Sequence, residues 1–491
     1  MIKREGSHCA VDGSVDKKGP ESQPSQSRES TPGLSKRCYL VSLGCPKNRV
    51  DSEWVKSRCE SAGYGFVDDP GEADVILINT CGFIQDAAKE SIDAVLEAVE
   101  LQAEKGRDSV KVVVMGCLPQ RYGRELAESL PEVDLFVGCS RLDDVVSLIQ
   151  EPPQDPLQVS AAPSFLPDGP FVRTPSSGPH SAYVKVSEGC DRACAFCTVP
   201  AIRGPARSRK LKDVVQEVQG LVQQGVTEVN LVAQDLTAYG RDLDQGTDLI
   251  ALLRSISGVE GLRWIRPLYL YPSALTHRFL QSMASIEAVV PYLDVPLQHV
   301  ADPVLKSMAR GYGARSVDRL MERVRTLWPQ AFLRTTFLVG HPGESEEAFR
   351  ALLDFVKRWR FDHLGVFAFS AEEGTPSAAL PWPDTEVAQG RRREIMEAQR
   401  EISKEKQSAF VGDVMTVLCD GVTPESAPVA QGRHAGQAPD IDGVVYVTED
   451  RREADLAPRL HPGEWLDVEV TEAGDYDLVG AVVGPEKKRS N

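Results

Sequence analysis

Between Gly189 and Cys197 the chain reads Gly-Cys-Asp-Arg-Ala-Cys-Ala-Phe-Cys. Three thiols, Cys190, Cys194 and Cys197, fall within one short loop, and an aromatic residue, Phe196, precedes the third. Such a loop can grip three corners of a cubane 4Fe–4S cluster, whereas an electron-transfer cubane takes four cysteines. Three ligands leave one iron open, and an open coordination position is where a substrate or cofactor binds. The competing readings need partners that the loop lacks. A disulfide needs a pair of thiols and an oxidising compartment. Structural zinc needs a fourth ligand, commonly from a second paired motif. The loop directly follows an apolar run, 182–187, that reads as a strand, so the site belongs at that strand's C-terminal end.

The rest of the chain is organised around that strand. Candidate strands at 182–187, 227–232, 262–267, 292–295, 332–338 and 363–368 alternate with helices, and a charged helix follows near 384–409. Six such units are too few for a closed eight-stranded barrel, which implies a partial, TIM-like (βα)6 barrel over 180–407. A second alternation precedes it, with strands at 39–43, 75–78 and 110–115 and helices at 48–61 and 84–104. It implies a doubly wound α/β domain over 37–150, a parallel sheet with helices on both faces. Pro- and Ser-rich residues 151–179 read as a linker. From 408 to 485, short strands separated by turn residues suggest a small β-barrel. Residues 1–36 hold too few large apolar side chains to offset the entropy of ordering and read as a disordered tail.

Composition limits the surroundings. With 491 residues the chain should hold two to four domains. No run of eighteen apolar residues suggests a membrane span, and the N-terminus lacks a secretory apolar stretch. Eleven cysteines in such a chain point to a reducing cytoplasm, where thiols hold metals. The balance of 55 basic against 72 acidic residues, a net −17, disfavours nonspecific binding to phosphate backbones.

A second cysteine set emerges from the first alternation. Cys45 follows the first strand in Leu43-Gly44-Cys45-Pro46-Lys47-Asn48, Cys81 the second in Asn79-Thr80-Cys81-Gly82, and Cys117 the third in Met115-Gly116-Cys117-Leu118. All three fall where the strands of a doubly wound sheet meet its ligand crevice. Converging thiolates there can hold a second cubane with one open iron. Free cysteines are commonly buried as small hydrophobes, but that does not account for one cysteine after each of three strands. Cys139 follows a possible fourth strand and is a rival ligand. Cys9, Cys38, Cys59 and Cys419 read as ordinary thiols.

Two three-cysteine sets in this order resemble the methylthiotransferases, a family of radical S-adenosylmethionine (SAM) enzymes. The resemblance covers residues 38–484 and extends to Leu231-Val232-Ala233-Gln234-Asp235, Pro296-Leu297-Gln298-His299 and Leu338-Val339-Gly340-His341-Pro342-Gly343-Glu344. Cys45-Pro46-Lys47-Asn48 and Thr80-Cys81-Gly82-Phe83-Ile84 are similar to the branch that modifies the twelfth protein of the small ribosomal subunit. The tRNA-adenosine branch carries Gly-Cys-Gln-Met-Asn instead. One departure is Arg49, where Leu is usual.

The resemblance implies an N-terminal cluster domain, a radical SAM partial barrel and a C-terminal TRAM barrel. It implies two 4Fe–4S clusters, on Cys190, Cys194 and Cys197 and on Cys45, Cys81 and Cys117, with SAM at the open iron of the first. The target is then the β-carbon of an aspartate, whose C–H bond offers general acid–base catalysis little to work on, so the cofactor supplies radical chemistry. Sulfur would come from the N-terminal cluster, and a second SAM would supply the methyl group. An electron donor and a sulfur donor are implied partners. Phe196 would lie beside the adenine. Gln234 and Asp235 end the second barrel strand, where they could meet SAM, although Asp235 equally suits a cap. Gly340 and Gly343 allow close backbone approach to the adenosine or serve a tight turn. His299 and His341 read as oriented structural histidines.

The C-terminal segment separates the two branches. From Ser408 to Val483 it holds fifteen acidic and four basic residues, 4 − 15 = −11. A TRAM barrel of that charge should repel RNA and attract a basic ribosomal protein. The same charge also suits a merely solubilising face. An electron-carrier role fits poorly, because each cysteine set is one ligand short.

Overall fold

The computed structural model describes residues 36–167, 169, 172–422, 429–448 and 460–483. Up to residue 35 the tail, with Cys9, lies outside the described residues, whereas Lys36 already begins a strand.

The first body runs β1 (Lys36–Ser42), α1 (Pro46–Ser61), β2 (Tyr64–Phe66), β3 (Val75–Thr80), α2 (Gln85–Lys105), β4 (Lys111–Gly116), α3 (Cys117–Ser129), β5 (Leu135–Gly138), α4 (Val145–Gln150) and β6 (Leu157–Gln158). Its sheet is parallel throughout, in the order β2-β1-β3-β4-β5-β6. β3 is buried along its whole length, as a central parallel strand covered on both faces must be. Val75 and Leu77 join the core on the α1 side, while Ile76 and Ile78 join the core on the α2 side. The segment read as a linker is built into this body: it supplies β6, and its Arg173 is buried against Glu53 and Glu217.

The second body runs β7 (Ser181–Lys185), β8 (Ser187–Glu188), α5 (Val199–Arg203), β9 (Arg207–Ser208), α6 (Leu211–Gln223), β10 (Glu228–Val232), α7 (Leu249–Ser257), β11 (Trp264–Pro267), α8 (His277–Ala284), β12 (Tyr292–Asp294), α9 (Asp302–Ser307), α10 (Ala314–Leu327), β13 (Phe332–Val339), α11 (Glu346–Trp359), β14 (His363–Ala368) and α12 (Thr385–Ser408). β7, β10 and β11 form one parallel sheet and β12, β13 and β14 another. A parallel bridge between Ile265 and Val289 joins their edges into a six-stranded open barrel. Along β13 the side chains alternate between part-exposed and buried: Phe337 and Val339 pack under the helices, while Arg334, Thr336 and Leu338 share the other face.

The third body is a closed five-stranded barrel of β15 (Val414–Val422), β16 (Ala430–His434), β17 (Val445–Thr448), β18 (Trp465–Ala473) and β19 (Leu478–Val482), paired β15-β16-β17-β19-β18. It sits at the end of the open barrel where the strands begin. Arg433 pairs with Glu228 at the start of β10, at 2.8 Å, and Trp465 meets Trp264 at the start of β11, ring centroids 4.6 Å apart. Asp442 accepts from Tyr292 at 2.6 Å and faces Arg334. Arg49, the departure from the family pattern, donates to Asp440 at 2.8 Å, tying the first body to the third. Among the described residues no helix is long and apolar enough to cross a membrane.

Candidate functional site

The site forms where the C-terminal strand ends of the first two bodies face each other. In the first body each strand end is turned sharply. Gly44 adopts φ +92°, and a Cβ there would lie 2.7 Å from Cβ of Cys81. Gly116 adopts φ +101°, and a Cβ there would lie 2.3 Å from Oδ1 of Asn79. Only glycine tolerates both the angle and the contact, so Gly-Cys recurs after β1 and β4. Cys45 then caps α1 and Cys117 opens α3, with Cys81 between them.

Asn48 organises this set. Its Nδ2 donates to the carbonyls of Leu43 and Thr80, at 3.1 and 3.0 Å. Its Oδ1 faces the sulfurs of Cys45 and Cys117, at 3.9 and 3.7 Å. Burial pushes the Cys81 thiol up to about 12. Cys117 is held down at about 6 by the neighbouring Cys139 thiol and by the Arg203 guanidinium. Cys139 Sγ lies 3.9 Å from Cys117 Sγ, so the rival cysteine lines the same site.

In the second body, Cys190, Cys194 and Cys197 are held on a loop stitched to the barrel. The Ala195 amide donates to Met308 O at 3.0 Å, and the Ser377 amide donates to Ala195 O at 2.9 Å. Burial pushes Cys197 up to about 12 and also raises Cys190. Arg310 places Nη1 3.2 Å from Cys194 Sγ and lies over the rings of Tyr271 and Tyr312.

The remaining expected residues surround this loop. Asp235 accepts from the Thr237 amide at 3.0 Å, the cap that its position suggested, and also holds Arg192 of the cysteine loop at 2.7 Å. Gln234 donates to Glu188 at 2.7 Å. Phe196 meets the His341 ring edge-on, centroids 6.1 Å apart. His341 bonds Ser377 Oγ at 2.8 Å, and burial holds it down at about 4, so it is neutral near pH 7. His299 bonds Glu344 at 3.2 Å. Gly340 meets Ala388 of α12, where a Cβ would come within 2.4 Å, whereas Gly343 turns in open space near Ser307.

Arg203, at the end of the short helix after Cys197, escaped the sequence reading. It crosses to the first body and donates to Cys117 Sγ at 3.1 Å, Asn48 Oδ1 at 2.6 Å and Asp51 at 2.7 Å. It also pairs with Glu188 at 3.1 Å, while Lys185 pairs with both Asp51 and Glu188. Burial alone would raise Glu188, but Arg203 and Lys185 hold it at about 2. Nearby, Thr198 Oγ1 lies 3.3 Å from the carbonyl of Phe83. The neighbours of Cys197 and of Cys81 thus touch across one interface. The one sequence signal for this network was charge within otherwise apolar strand and helix starts.

The donor sets suit polynuclear clusters. Three thiols in each set are the donor type and number that a cubane with one open iron would take. Beside the cysteine loop, Gln234 Oε1 and Arg192 Nη2 are buried without a hydrogen-bond partner. They offer an acceptor and a donor to an amino acid-like ligand.

An open β/α barrel with a three-thiol loop after its first strand defines a radical SAM enzyme, here with an added cysteine-bearing domain and a TRAM barrel. Residues 37–138 match the uncharacterized protein family UPF0004, 184–356 the Radical SAM superfamily and 411–483 the TRAM domain. The superfamily brings SAM and a 4Fe–4S cluster as its cofactors. The chain is 45% identical to ribosomal protein uS12 methylthiotransferase RimO of an Anaeromyxobacter species, over 92% of this chain and 94% of that one. It is 44% identical to RimO of Desulfotalea psychrophila, over 91% and 99%. The chain belongs to the RimO family of methylthiotransferases. The fold is also similar to the radical SAM methyltransferase TsrM of Kitasatospora setae, with a TM-score of 0.52, 15% identity and 80% of each chain covered.

Proposed function

We propose that this chain adds a methylthio group to the β-carbon of an aspartate in ribosomal protein uS12, using a 4Fe–4S cluster on each cysteine set. The observation that carries this reading is the pairing of two three-thiol sites across one interface, bridged by Arg203. Bound there, the clusters and SAM supply one-electron chemistry and sulfur to a carbon that no side-chain base could activate. The chain's own residues do the rest. Cys190, Cys194 and Cys197 anchor the SAM side, and Gln234, Arg192 and the Phe196–His341 pair surround it. Asp235 aligns Arg192, and Gly340 and Gly343 supply the positive-φ turn after β13. Cys45, Cys81 and Cys117 anchor the sulfur side, with Asn48 orienting two of them. Neutral His341 holds its proton in place and neither gives nor takes charge near pH 7.

The TRAM barrel supports a protein rather than an RNA partner. Among its described residues Arg433 is the one Lys or Arg, and it is buried against Glu228 and Asp420. Phosphate contacts need exposed cations. Glu425, Glu449, Asp450, Glu453 and Asp455 lie outside the described residues, as do Arg451, Arg452 and Arg459. Anaerobic turnover of the reconstituted enzyme with uS12, read by mass spectrometry, tests the proposal. A methylthio mass gain on one aspartate is expected; modification of tRNA alone would overturn it.

A further inference from the structure

Lys47 is a buried cation with no carboxylate of the described residues within ion-pair distance. It lies in the first turn of α1, between Cys45 and Asn48, and is 9% exposed. Its Nζ stands 3.6 Å from the centre of the Tyr269 ring. Most comparably buried cations hold a carboxylate: Lys185 has Asp51, Arg203 has Asp51 and Glu188, and Arg266 has Glu228, while Arg310 faces the Cys194 sulfur instead. Among the described residues Lys47 has no such ion pair. Desolvating an ammonium costs several kcal/mol, which the Tyr269 ring and hydroxyl and the Cys45 sulfur offset, so Lys47 stays charged without a carboxylate in contact. The position therefore favours arrival of an anion.

The location narrows which anion. Tyr269 follows β11 at its C-terminal end and adopts φ +61°, a conformation costly for a non-glycine residue, which holds its ring beneath the ammonium. The Tyr269 carbonyl accepts from the Leu236 amide at 3.1 Å, one residue beyond Asp235, which holds the cysteine loop through Arg192. Lys47 comes from the other cysteine-bearing body. Its ammonium thus stands beside the Cys45 turn, at the C-terminal end of the barrel strands that also carries the other thiol loop. The cysteine set of the first body already has its own cation, since Arg203 lies 3.1 Å from Cys117 Sγ.

We propose that Lys47 recognises the side-chain carboxylate of the target aspartate, holding its β-carbon between the two cysteine sites. This rests on the function proposed above. A charge-assisted hydrogen bond of this kind corresponds to about tenfold to hundredfold in affinity. The test uses anaerobic holoenzyme with Lys47, Lys47→Arg or Lys47→Gln, and uS12 carrying either aspartate or asparagine at the target position. Two quantities are read for each pair: kcat/KM, and the equilibrium affinity for a peptide spanning the target.

The parent should prefer aspartate by about tenfold to hundredfold in both measures. Lys47→Gln should lose that factor on aspartate and little on asparagine, while Lys47→Arg should keep most of it. Equal losses on both substrates would overturn the inference. So would a changed iron content or electron paramagnetic resonance signal of the N-terminal cluster in Lys47→Gln, which would assign the ammonium to that cluster. A parent that modifies neither form of uS12 would instead remove the proposed function, and the inference with it.

Discussion

The two cysteine sites are built by opposite means. Cys190, Cys194 and Cys197 share one loop, so their proximity is local and survives any change in how the bodies pack. Cys45, Cys81 and Cys117 come from the ends of β1, β3 and β4, and meet only once the sheet registers. The loop therefore needs little support beyond backbone hydrogen bonds to Met308 and Ser377. The strand-end site needs glycines at positive φ at Gly44 and Gly116, an organising Asn48, and a guanidinium borrowed from the other body. A site assembled from distant segments is the more sensitive to mutations away from its ligands.

The largest test of this contrast removes one set at a time. Replacing Cys190, Cys194 and Cys197 with alanine should abolish formation of 5′-deoxyadenosine, while about half of the bound iron remains. Replacing Cys45, Cys81 and Cys117 should leave 5′-deoxyadenosine forming but end sulfur insertion. Loss of all iron in the first variant would show that the sites do not assemble independently.

Next in size is the bridge. Arg203→Met leaves Asp51 and Glu188 buried with Lys185 as their remaining cation, which should cost about 3–5 kcal/mol. A lowered melting temperature checks this, and Arg203→Lys should restore part of it. If the contrast holds, the N-terminal cluster's spectroscopic signal should change more than that of the loop cluster, because Arg203 touches Cys117.

A smaller effect is expected at the opposite end of the barrel. Burial alone would raise Glu228, but Arg433 and Arg266 hold it at about 2, against about 4.3 in an unfolded chain. A depressed carboxyl contributes stability that is full above the unfolded value and is lost as pH falls toward about 2. Docking of the TRAM barrel should weaken over that window, as followed by tryptophan fluorescence of the Trp264–Trp465 pair. Glu228→Gln should be less stable at pH 7 but lose less on acidification.

The smallest effect belongs to surface charge. Asp413, Glu472 and Asp475 are exposed on the TRAM barrel. Neutralising all three together should raise the apparent KM for uS12 about twofold to threefold at low salt, and flatten its salt dependence. An unchanged salt profile would remove the barrel from substrate steering.

Wherever the signal was local, it was legible in the chain. Short apolar runs marked the strands, as in Val75–Thr80 and His363–Ala368. Three thiols in one loop marked the site, because their spacing alone sets their separation. One cysteine after each of three strands pointed to the second, proposed site, because parallel strands deliver their ends to one edge. The rest depended on how separate bodies meet. Nothing near Arg203 in the sequence reveals that it would lie against Cys117, and nothing near Arg49 reveals Asp440. Asp440 and Asp442 counted toward an acidic surface, yet they reach Arg49 and Arg334 in other bodies. Lys47 read as part of a motif, and only the packing of α1 against the barrel mouth set its charge on the Tyr269 ring with no carboxylate in contact. Periodicity and spacing are properties of neighbours in the chain; desolvation and charge pairing are set by neighbours in space, which the tertiary structure alone selects.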